Sequence, residues 1–132
     1  PISAMESGQM NGRKQANINQ GDIYWAAPGE SGGIPHPQVV IQANAINHSR
    51  LSSVVVCALS TNLKRAKAPG NILLNEGEAN LPKQSVVVVS QVSSVEKNEL
   101  GAYIGSLATQ RVEQILAGMQ FLQRMSRQAG EE

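Results

Sequence analysis

Ser53-Val54-Val55-Val56-Cys57-Ala58-Leu59-Ser60-Thr61 is the stretch on which the fold turns. Its apolar run, rich in β-branched residues, has the length of a strand and is too short for a buried helix. The run is continuous rather than alternating, so it reads as a central strand covered on both faces. Val86-Val87-Val88-Val89 repeats the pattern, and each run needs a second layer.

Working outward, shorter strands fall at 21–26, 39–43, 72–74 and 85–91, separated by segments rich in Asn, Ser, Gly and Pro. That spacing predicts a compact curled sheet. Val112, Ile115, Leu116, Met119, Leu122 and Met125 lie on one helical stripe behind the N-cap candidate Thr109, so an amphipathic helix supplies one cover. Gly118 costs that helix about 1 kcal/mol relative to Ala. The fold class is therefore α+β, mostly β.

The 132 residues fit one domain. Residues 1–20, poor in apolar side chains, read as a flexible tail partly derived from an expression vector, 21–128 as the domain, and 129–132 as a disordered end. A composition 41% hydrophobic and 16% charged is globular, and with only 3% aromatics the core must come from Val, Ile and Leu. No apolar stretch approaches the roughly 20 residues of a membrane span. The expected compartment is a reducing cytoplasm, since Cys57 is alone and reads as a buried structural thiol. A net charge of +1 does not announce a polyanion partner, so any such binding rests on local clustering.

Two segments carry candidate chemistry. His36 lies between Pro35 and Pro37, which hold its backbone extended after the loop Pro28-Gly29-Glu30-Ser31-Gly32-Gly33. An imidazole there is either a mounted acid, base or cation, or an inert loop histidine. Ser60-Thr61-Asn62 follows the central strand, where hydroxyl and amide groups can donate to phosphate oxygens. Lys64-Arg65-Ala66-Lys67 then either tracks a nucleic-acid backbone or forms a solvated loop. His36 and His48, with no clustered Cys or carboxylates, make no metal-ligand spacing, and neither a P-loop nor a Gly-x-Ser-x-Gly elbow is present. No metal or cofactor is expected.

Gly21-Asp22-Ile23-Tyr24-Trp25, Glu30-x-Gly-Gly and Pro37-x-Val-Val-Ile-Gln42, followed by Leu59-Ser60-Thr61-Asn62, Ser85 to Val92 and Ile104-Gly105-Ser106-Leu107, together resemble the MazF/PemK/Kid family of bacterial toxin ribonucleases over about residues 21–122. The resemblance implies an SH3-like small β-barrel of the CcdB/MazF type with a C-terminal helix. It also implies a homodimer, single-stranded RNA as substrate with mRNA foremost, and a cognate antitoxin that blocks the site.

In that family an Arg before the proline of the second strand and a Ser or Thr after the third form the usual catalytic pair. By position these fall on His36 and on Ser60 with Thr61. The implied reaction is attack of an RNA 2′-OH on its own phosphate, without metal, leaving a 2′,3′-cyclic phosphate and a 5′-OH. His36 would act as acid or base, and Ser60 and Thr61 as donors to the phosphoryl oxygens. Lys64, Arg65 and Lys67 would guide the strand, with Glu30 and Asn62 beside the RNA. Gln42 and Gln91 either read bases or tie the loop to the sheet. Two other readings remain: a toxin-like RNA- or protein-binding module without turnover, and a poison of a replication protein such as DNA gyrase.

Overall fold

The computed structural model describes residues 17–29 and 33–131, with side chains through 125. Six antiparallel strands, β1 (Asp22–Ala26), β2 (His36–Val40), β3 (Ser53–Ser60), β4 (Ile72–Leu73), β5 (Val86–Glu96) and β6 (Tyr103–Ser106), form one curled sheet in the order β4-β5-β3-β2-β1-β6. Between them lie a short helix, α1 (Asn44–Asn47), and 3-10 turns at Leu63–Lys67, Glu78–Asn80 and Lys97–Glu99. The long helix α2 (Thr109–Glu131) closes the chain, its backbone continuing past the boundary drawn at 128 from the sequence.

Successive side chains of a strand point to opposite faces, and both faces of this sheet are buried. Ile23, Val39, Cys57, Leu59, Val87 and Val89 form one core with Val112 and Ile115 of α2. Tyr24, Val40, Val54 and Val56, whose side chains point the other way, form a second core with Ile18, Val95 and Leu100. The apolar run of β3 thus fills both cores, while in β5 Val87 and Val89 pack into the first and Val86 and Val88 are buried as well. Cys57 is buried, and that burial pushes its thiol up to about 12.

β2 starts at His36, three residues before the expected start, although Pro37 carries no N–H. Pro37 pairs with Trp25, and both Trp25 backbone groups turn the other way, the N–H to Ala102 O (3.0 Å) and the C=O to Gly101 N (2.6 Å). The pair is therefore a non-hydrogen-bonded one, and the proline forfeits nothing across it. Ile41 still donates to Val55 O (3.0 Å), but the chain then turns into α1, so the strand stops short of 43.

The end strands β4 and β6 do not pair with each other. The turn Glu78–Asn80 lies on β6 instead, and Asn80 Nδ2 donates to Ile104 O (3.0 Å), occupying an edge acceptor. A Cβ at Gly105 would collide with the Ala79 carbonyl there.

Candidate functional site

β3 and β5 lose register between Cys57 and Leu59. Cys57 faces Val92 while Leu59 faces Val87, so β5 uses residues 88–91 where β3 uses only Ala58. Such irregularities bend a strand and re-aim its side chains. Two side chains occupy ladder positions here: the Cys57 thiol donates to Val88 O (3.1 Å), and Asn71 Oδ1 accepts from Val89 N (3.0 Å). The bend opens a cleft of 530 Å³ between the ends of β2 and β3 and the arc of β5, within the range of small-ligand sites.

His36, Ser60, Thr61, Arg65 and Gln91, five residues singled out from the sequence, line this cleft. His36 is the first residue of β2, opposite Ala26, so its side chain stands on a paired strand rather than on a loop. Ser60 Oγ accepts from Asn62 N (3.1 Å), which fixes the oxygen and leaves its O–H available as a donor into the cleft. Thr61 is exposed beside it.

The basic tract is not a loop but the 3-10 turn Leu63–Lys67, begun by Asn62 Oδ1 accepting from Lys64 N (3.2 Å). With three residues per turn, Lys64 and Lys67 eclipse on one side and Arg65 points elsewhere. Only Arg65 reaches the cleft lining, and the turn is held by Asn71 Nδ2 donating to Arg65 O (2.9 Å). Among the described residues no Asp or Glu lines the cleft, and Arg65 lines it as a cation. A second pocket of 250 Å³ continues past His36, Pro37 and Thr61 and is walled by Trp25, Pro82 and Lys83.

Other expected residues lie apart. Gln42 Nε2 donates to Asn47 Oδ1 (2.9 Å) and Asn47 Nδ2 to Gln42 O (2.7 Å), and Gln42 does not line the cleft. Asn62, Lys64 and Lys67 flank the cleft without lining it, and Glu30 lies outside the described residues. Gln38, Ser85 and Ser93 line the cleft without having been expected. Gln38 was detectable in principle as the one polar residue in the strand Pro37-Gln38-Val39-Val40-Ile41.

A family model described as PemK-like, MazF-like toxin of type II toxin-antitoxin system matches residues 19–122. The chain belongs to this family. Among its curated relatives in the PemK/MazF group, Endoribonuclease MazF6 of Mycobacterium tuberculosis (strain ATCC 25618 / H37Rv) is 32% identical over 106 residues, covering 77% of this chain and 93% of the relative. Endoribonuclease MazF of Staphylococcus saprophyticus is 28% identical over 103 residues, covering 74% and 84%.

Solved structures share the PemK/MazF fold. A mycobacterial endoribonuclease in complex with its cognate antitoxin superposes with a TM-score of 0.65 at 22% identity, covering 77% of this chain and 90% of that one. MazF from Deinococcus radiodurans gives 0.62 at 16% identity, covering 80% and 94%. Among the described residues there is no group of three or more His, Cys, Asp or Glu able to hold a metal, and no helix is long and apolar enough to cross a membrane.

Proposed function

We propose that this PemK/MazF chain is an endoribonuclease that cuts single-stranded RNA, mRNA foremost, in the cleft between β2 and β3. One observation carries the reading: an imidazole, a guanidinium and the hydroxyls of Ser60 and Thr61 line one cleft in which no carboxylate is found among the described residues. Cationic and hydroxyl donors without a competing acid favour a phosphodiester.

The reaction is internal transesterification. The 2′-OH oxygen bonds to the adjacent phosphorus and the bond from phosphorus to O5′ breaks. A base removes the 2′ proton and an acid supplies one to O5′, leaving a 2′,3′-cyclic phosphate and a 5′-OH. RNA brings its own nucleophile, which DNA lacks. His36 is the proton-transfer group, Ser60 and Thr61 donate to the non-bridging oxygens as charge builds on them, and Arg65 pairs with a phosphate. No step calls for a metal.

Two further parts of the reading come with the family, the second supported by the fold shared with an antitoxin-bound structure. The chain acts in the bacterial cytoplasm as a homodimer, and a cognate antitoxin occludes the cleft. Incubating the protein with single-stranded RNA in excess chelator tests the chemistry. Cyclic-phosphate and 5′-OH ends are expected, with His36→Ala slower by roughly a hundredfold or more, the scale of general acid-base catalysis. Retarded migration of intact RNA without cleavage would instead make the chain a binding module.

A further inference from the structure

β2 is apolar after Pro37 except for Gln38, which is 4% exposed. Its Oε1 is fully covered and accepts no hydrogen bond from any described group. Buried side-chain oxygens are almost always paired, because an unpaired acceptor gives up its water and gains nothing in return. Nearby hydroxyls do not supply the pair: Ser85 Oγ donates to Lys83 O (2.9 Å), and the Ser60 hydroxyl, whose oxygen accepts from Asn62 N, makes no hydrogen bond to Oε1. A valine, as at the next two positions, would satisfy the core without this cost. Gln38 nevertheless lines the cleft, beside His36 and Ser60.

We infer that Gln38 is the base-reading residue of this site: its carboxamide takes the hydrogen-bonding edge of one nucleobase flanking the cut phosphate, with Oε1 accepting a base N–H. A carboxamide presents acceptor and donor side by side, matching an adjacent donor and acceptor on a base edge, and such bidentate pairs are the ordinary means of telling bases apart. A site built to pair a polar group discriminates strongly, since the wrong partner leaves the buried atom bare. Gln38 thus confers sequence preference, while His36, Ser60 and Thr61 act on the phosphate that every nucleotide carries. This role rests on the cleft being where RNA is cut.

The test is cleavage of a pool of RNAs randomised around a site that the parent protein cuts, followed by sequencing of the new ends, for the parent, Gln38→Leu and Gln38→Glu. Gln38→Leu should lose roughly tenfold or more of the preference at a single nucleotide position, keep it elsewhere, and melt no lower than the parent, because a bare acceptor has been removed. Gln38→Glu offers two acceptors and should move that position toward guanine, whose N1–H and N2–H present two adjacent donors. An unchanged preference at every position, as a buried water on Oε1 would give, overturns the inference. So does a uniform slowing over all sequences, or a lower melting temperature with cutting abolished, which marks a structural glutamine. A parent that cuts no RNA refutes the nuclease reading itself, before any variant is made.

Discussion

Arg65 shows how much single residues depend on what surrounds them. In sequence it is one of three cations in Lys64-Arg65-Ala66-Lys67, and nothing there separates them. The 3-10 geometry does, turning Arg65 into the cleft and the two lysines away. Arg65→Ala should therefore lower kcat/KM on RNA by tenfold or more, about the 1.5–3 kcal/mol of a charge-assisted hydrogen bond. Lys64→Ala should change it by less than about threefold at physiological salt, where solvated charges are screened. Steady-state kinetics on one RNA separates the two.

His36, Ser60 and Thr61 were legible because a proline frame and a strand end are local signals. Gln38 stood out only as the one polar residue of an apolar strand, and its place in the cleft depends on β3 and β5 wrapping around it. Gln42 has the same residue type four positions on, and the structure engages it with Asn47 instead.

At the scale of elements, continuous apolar runs identified β3 and β5, and the stripe from Val112 to Met125 identified α2. β6 escaped as a strand because Tyr103-Ile104-Gly105-Ser106 is short and holds a glycine where β6 meets Ala79. Gly118 looked like a weakness of α2, and the packing reverses that judgement. A Cβ on Gly118 would strike the Gly70 carbonyl, and one on Gly70 would lie 2.7 Å from Gly118 O, so helix and loop meet backbone to backbone. Gly118→Ala, which in an isolated helix would gain about 1 kcal/mol, should here destabilise by about 1–3 kcal/mol through overpacking. Denaturant unfolding decides the sign, and a stabilised variant would mean that α2 is free to move off the loop.

Over the whole molecule, the open side of the sheet is held through contacts rather than strand pairing. Glu78, in the turn that covers β6, receives Arg111 Nε (2.8 Å) and Nη2 (3.0 Å) from α2, joining the two halves of the edge. The Arg111 hydrogen bond holds the Glu78 carboxyl below the usual carboxylate range. A lowered folded-state value means that the pair contributes stability above the unfolded carboxylate value, and that this is lost as pH falls through the folded one. Glu78→Gln should cost about 0.5–1 kcal/mol at neutral pH, and the gap to the parent should close in acid, as melting curves over a pH series would show. Such a pairing between distant segments was not legible in the sequence, because it exists only once the sheet has curled.

Antiparallel pairing sets the start of β2 beside the end of β3 at the cleft, where the resemblance implied an arginine and His36 stands instead. The most direct measurement is the pH profile of single-turnover RNA cleavage for the parent and for His36→Arg. If His36 moves the proton, the parent rate should bend with pH across the range around neutrality, and His36→Arg should give a profile without that bend. A parent profile flat through that range, or the same bend in both proteins, would contradict a catalytic role for His36.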